Sequence, residues 1–188
     1  MAEMIPEYKT ELEIFNQFVF ADNLENGDKL QIIQEALELG ALQAEEIRKE
    51  FGLQMPKALL ESLGIRVEYE TGAQKLNENY VKFAEFYAKT KVIRLNGPAV
   101  KKLDHKMKKG LAEDIILCHE LYHYFELARW GRASERFIRT VKLFGLIPVK
   151  RRMLPASELA ANSFTKTYLG LDFNPQIIEK YYFDTDNI

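Results

Sequence analysis

Cysteine is nearly absent: Cys118 is the only one in 188 residues, so no disulfide can form within the chain. The same scarcity argues against a structural zinc site, which takes four ligands rich in Cys. No Pro/Gly/Ser-rich linker, internal repeat or low-complexity stretch divides the chain, which leaves one domain over 1–188. No apolar run approaches the roughly 20 residues of a membrane span. The opening "MAEMIPEYKTELEIF" also lacks a basic segment followed by an apolar one. The expectation is a cytoplasmic protein with no membrane association. An excess of one charge is missing too: 26 Lys and Arg face 28 Asp and Glu, so a general nucleic-acid binder is not indicated.

What charge there is sorts along the chain. Residues 1–64 read as an acidic helical region. By contrast, "RWGRASERFIRTVKLFGLIPVKRR" (129–152) carries eight Lys or Arg against the single acid Glu135. That run reads either as a solvated helix face with a loop or as a basic rim that attracts an acidic substrate segment.

Apolar spacing predicts helices over 28–40, 42–52 and 56–64, the first and third each followed or closed by Gly. The tandem of short helices invites a helix-turn-helix reading, but the second helix of the pair offers only Lys57 to a phosphate backbone. Strands are expected at 65–70, 80–88 and 91–96, the last two as a hairpin. Further helices are expected in or before 100–110, then at 111–128, 134–145, 156–170 and 174–183, with Asn174 and Pro175 opening the last. Helices, a small sheet and helices again make an α+β fold, mostly helical, with a three-stranded sheet beside the helix at 111–128.

That helix contains "HELYH". His119 and His123 are four residues apart and share a face, where their imidazoles can converge on one tetrahedral zinc ion. Glu120 projects to the side of the pair, placed to take a proton from an activated water instead of binding metal. The bland alternative is two core histidines satisfied by hydrogen bonds. Cys118 points about 100° away from His119 and reads as a small core residue.

A catalytic zinc needs a third protein ligand and an open position. Glu126 lies one turn past His123 on the same helix, and three ligands along one straight helix do not readily surround an ion. His105 sits in a basic, exposed stretch, and Glu135 in the basic run. Glu158 opens a separate helix whose Ala156, Ala160 and Ala161 permit close packing on the motif helix, and it is the expected ligand. Asn162, one turn later, is a candidate acceptor for the second N–H of a ligating histidine, or else a polar residue on the helix exterior. Tyr122, Tyr124 and Tyr168 are candidates to steady a developing oxyanion.

These residues resemble the ImmA/IrrE family of metallopeptidases. "FGLQMPKALLESLGIRVEY" is similar to the family's helix entering its first strand, "KVIRLN" to the strand before its active-site helix, and "HELYH" with "ELAANSF" to its zinc-binding pair and downstream glutamate helix. The likeness covers roughly residues 42 to 171. It implies a zincin-like α+β fold, zinc held by His119, His123 and Glu158, and Glu120 as general base. It also implies an intracellular protease that cleaves a partner helix-turn-helix repressor. Tyr122 departs from the small residue usual before the second histidine, and 131–155 looks like an elaboration. The competing expectation is a non-catalytic zinc-binding interaction module of a mobile element or regulatory system.

Overall fold

The computed structural model describes residues 8–72, 75–77 and 80–184. Helix α1 (Lys9–Asn16) leads through a 3-10 turn (Ala21–Asn23) into α2 (Asn26–Phe51) and α3 (Pro56–Ser62). Strands β1 (Arg66–Glu70), β2 (Lys75–Asn77), β3 (Tyr80–Val81), β4 (Ala84–Tyr87) and β5 (Val92–Asn96) follow. The chain continues with α4 (Gly97–Leu103), α5 (Leu111–Phe125), β6 (Ile138–Leu143), β7 (Ile147–Arg152), α6 (Pro155–Leu169) and α7 (Ile177–Phe183). The fold is mixed α+β and mostly helical, with a small three-stranded sheet. No helix among the described residues is long and apolar enough to cross a membrane.

Two of the expected N-terminal helices are one. Gly40 reads as a stop, yet α2 runs through it for 26 residues. The glycine serves a different purpose: a Cβ there would meet the Ala160 carbonyl oxygen at 2.1 Å. Its missing side chain lets α2 lie directly on α6. The true stop is Gly52, whose φ of 73° suits glycine.

In the three-stranded sheet the order is β1-β5-β4, with β1 parallel and β4 antiparallel to β5. Central β5 buries Val92, Ile93, Leu95 and Asn96. The expected strand at 80–88 is interrupted because Asn96 occupies its continuation. The Asn96 side-chain amide donates to the Lys82 carbonyl at 3.0 Å and its backbone N–H to the Phe83 carbonyl at 2.8 Å. The same side chain accepts from Ala99 N at 3.0 Å and so caps α4. β4 is the sheet's edge and lies against α5, where the Phe86 and Tyr124 rings meet edge to face at 5.9 Å.

The helix expected at 134–145 is a correction. After a 3-10 turn (Ala133–Glu135) the chain forms β6, paired antiparallel with β7 from Ile138↔Arg152 to Leu143↔Ile147. Phe137 and Val141, four apart and both buried, mimic helical spacing, but Ile138, Thr140 and Lys142 are exposed, a period of two. The β-branched Ile138, Thr140, Val141, Ile147 and Val149 favour the strand. The hairpin base joins α1, α2 and α6 in a core cluster built on Phe15, Ile32, Ile33, Val141, Met153 and Leu159. A larger cluster wraps α5 with Ile93, Leu95, Leu121, Tyr122 and Phe164. Both have α2 and α6 in common, so the two helices tie the hairpin to the sheet.

Candidate metal centre

Gly110, at a φ of 84° that only glycine adopts freely, turns the chain into α5, and Glu113 and Asp114 in the first turn complement its positive end. From there Ala112, Ile115, Ile116, Leu117, Cys118, Leu121, Tyr122 and Phe125 are buried, which fixes the rotation of the helix and sends His119 and His123 toward α6. Burial of Cys118 pushes its thiol far above the ordinary range, as suits a core residue and not a ligand. On α6, Ala160 and Ala161 belong to the same cluster as Leu121 and Tyr122, whereas Ala156 faces the second cluster.

His119, His123 and Glu158 come together, their donor atoms all within 4.8 Å of one another. The two Nε2 atoms are 3.1 Å apart. Glu158 Oε2 lies 3.2 Å from His119 Nε2, and Oε1 lies 3.6 Å from His123 Nε2. Donors held about 2.05 Å from a tetrahedral ion lie about 3.3 Å from each other. The three groups form a triangle of about that size, with Glu158 turning Oε2 to His119 and Oε1 to His123, so the carboxylate straddles the pair and the three can close on one ion. Glu158 keeps 53% of its side chain exposed, so the point between the three groups remains open to solvent.

The other ring nitrogens decide the chemistry. His119 Nδ1 meets Asn162 Oδ1 at 3.2 Å, and His123 Nδ1 meets Glu126 Oε2 at 3.1 Å. Both partners are acceptors, so both Nδ1 atoms carry the hydrogen and both Nε2 atoms present lone pairs. Two lone pairs and a carboxylate aimed at one point repel unless a cation lies between them. A proton supplies part of that charge. Burial alone would lower the His123 pKa, but the Glu126 hydrogen bond and the Glu158, Glu120 and Glu126 charges raise it to about 9. Burial opposes ionisation of Glu158 as well, yet the His119 hydrogen bond and the two histidine charges hold it at about 2. A divalent ion that suits two imidazoles and a carboxylate fits this donor set.

Glu120 stands apart from the triangle and makes no hydrogen bond or ion pair among the described residues. Burial raises its carboxyl above the ordinary range. The His119 and His123 charges oppose this, and Glu158 and Glu85 add to it. Of the three tyrosines, Tyr122 is wholly buried and the Tyr168 hydroxyl donates to the Gln54 carbonyl at 3.1 Å, while Tyr124 is only half-buried. His105 and Glu135 take no part; Glu135 instead pairs with Arg152 at 2.8 Å.

Glu126 is more than the peripheral residue its helix position suggests. It is 4% exposed and fully engaged: Oε2 accepts from His123, while Oε1 accepts from Ala133 N at 2.7 Å and Ser157 Oγ at 2.6 Å. These bonds hold its carboxyl below the ordinary range despite burial. At Glu126 the chain leaves α geometry for a π turn (Glu126–Trp130), and the glutamate ties α5 to α6 and to the segment before β6. An acid three residues after the second motif histidine is the one signal that marks it in the sequence. No family model matches the chain, and no curated protein or solved structure matches it either.

Proposed function

We propose that this is a zincin-like, zinc-dependent endopeptidase acting inside the cell. The observation that carries the reading is the convergence of two Nε2 lone pairs and the half-exposed Glu158 carboxylate, with Glu120 on the histidines' helix feeling the charges of all three groups. His119, His123 and Glu158 would hold the ion, while Asn162 and Glu126 fix the tautomers that make the imidazoles ligands. A bound zinc lowers the pKa of water to near 7 and polarises a carbonyl.

The chain's own contribution is proton transfer and positioning. Glu120, its basicity raised by burial, takes the proton of the attacking water and hands it to the leaving amine. Among the described residues the outer edge of β4 has no partner strand, and it runs beside α5, so an extended peptide can add to it through backbone hydrogen bonds. That geometry favours a peptide over a compact small molecule. A partner repressor of the helix-turn-helix type is the proposed substrate, on the resemblance alone.

The test is incubation of zinc-loaded protein and its Glu120→Gln variant with a peptide library, with new termini read by mass spectrometry. Cleavage by the parent and none by the zinc-retaining variant is expected. Zinc retained with no cleavage by either leaves the non-catalytic interaction module as the better reading.

A further inference from the structure

The β6–β7 hairpin displays apolar side chains where a solvated loop has none. Phe144 is 85% exposed, Leu146 83% and Ile147 55%, all at the tip. The turn that carries them is costly in its own right. Phe144 and Gly145 have φ values of 52° and 73°, and Leu146 N donates to the Leu143 carbonyl at 3.2 Å. Positive φ at both central positions is the signature of a type I′ turn, for which Asn-Gly or Asp-Gly is the favoured pair. A phenylalanine there is strained, and it recovers nothing by packing because it touches little but solvent. Stability of this chain does not account for the residue.

Charge supplies the second observation. Between residues 136 and 152 there are six Lys or Arg and no acid, in a chain of net charge −2. Arg152 and Arg139 are drawn toward Glu135 and Asp28, and Arg151 lies over the Phe20 ring. Lys142 and Lys150 form no ion pair among the described residues, and with Arg152 they share the hairpin's outer face. Lys142 stands two residues behind Phe144, so the apolar tip reaches about 6–7 Å beyond the first free cation.

Against the expectation of no membrane association, which rested on the lack of a spanning segment, we propose that this hairpin docks the protein on an anionic lipid bilayer, with Phe144 and Leu146 inserted below the headgroups and Lys142 and Lys150 among them. The spacing matches the 5–10 Å depth to which interfacial side chains enter. The tip's three exposed apolar side chains are far fewer than the roughly 20–30 residues a side of a stable protein interface. A fluid bilayer needs no complementary pocket to cover them. Leu146 and Ile147, two of the three exposed apolar side chains at the tip, offer no ring for a base to stack on, which favours a bilayer over nucleic acid. The hairpin base is anchored in the core through Val141 and Met153 and by the bond from Lys142 N to Asn23 Oδ1, so the tip is presented on a fixed support.

The test is co-sedimentation of the full chain with phosphatidylcholine vesicles and with mixed phosphatidylcholine and phosphatidylglycerol vesicles. Sedimentation only with the anionic mixture, weakened by salt, is expected. Phe144→Asn should lose at least tenfold in binding while melting no lower than the parent, since Asn suits the turn. Each of Lys142→Gln and Lys150→Gln should lose roughly fivefold at low salt. No sedimentation with anionic vesicles overturns the proposal. So does undiminished binding by Phe144→Asn, which would reduce the contact to charge adsorption. Sedimentation equal on neutral vesicles overturns it too, as does a Phe144-dependent gel shift on duplex DNA without vesicle binding.

Discussion

The contact between α5 and α6 and the hairpin of β6 and β7 depart from the usual sorting of side chains in opposite directions. At the first, Glu126 and two histidines are drawn inward and every polar atom of Glu126 is engaged. At the second, Phe144 and Leu146 are turned outward with nothing to cover them. Buried polar groups and displayed apolar ones are the informative exceptions to the inside-outside rule. The core of Ile, Leu and Phe between the two regions obeys that rule, and reads as support for both.

Glu120→Gln should separate the two regions most sharply. Loss of the proposed general base is expected to lower cleavage by roughly 10²- to 10⁴-fold while zinc content and vesicle binding stay as they were. Steady-state rates on a cleaved peptide check this, and a fall in zinc content along with the rate would show that the residue holds the metal.

Glu126→Gln comes next, with zinc affinity expected to fall roughly 10- to 100-fold. The amide oxygen can serve Ala133 N and Ser157 Oγ, which leaves the NH₂ facing His123 Nδ1. The imidazole must then present its other tautomer, with a hydrogen on Nε2 where the ion should bind. Competition with a chelator of known affinity reads this directly; an unchanged affinity would reduce Glu126 to a structural tie.

The pH dependence has a definite sign. His123 is protonated in the metal-free protein below about 9, and zinc must displace that proton. Apparent zinc affinity should therefore climb about tenfold per pH unit up to about 9 and then level, while Glu158 at about 2 is already ionised throughout. The raised His123 pKa stabilises the metal-free fold fully below the unfolded value near 6.5, and that support is lost as pH rises through about 9. Melting of the metal-free protein between these limits should fall, and melting of the zinc-loaded protein should not.

The smallest effect belongs to the hairpin. Phe144→Asn relieves the left-handed strain and should stabilise the fold by about 1 kcal/mol in denaturant titration. A loss of stability would mean that the phenylalanine supports the hairpin after all.

The site was far more legible in the sequence than the hairpin, for physical reasons. His119, Glu120 and His123 lie on one helix, where spacing alone fixes which side chains share a face; Glu158 is legible because it opens a second helix with small residues, and Asn162 because it lies one turn further on. Glu126 is not legible as a ligand because three ligands on one straight helix do not readily surround an ion; it bonds the far side of the His123 ring instead. Gly40 looked like a helix stop because its reason, the approach of the Ala160 carbonyl, comes from another element 120 residues away. Residues 134–145 read as a helix although the two apolar residues four apart, Phe137 and Val141, are equally compatible with one face of a strand.

Bound metal is the measurement that reaches the centre of this account. Mass spectrometry of the purified chain should find about one zinc per molecule, with the ion lost in His123→Ala and Glu158→Ala and kept in Glu120→Gln. A chain that takes up no zinc when it is supplied, or one whose zinc is indifferent to Glu158, would contradict the reading of the three converging groups as a metal centre.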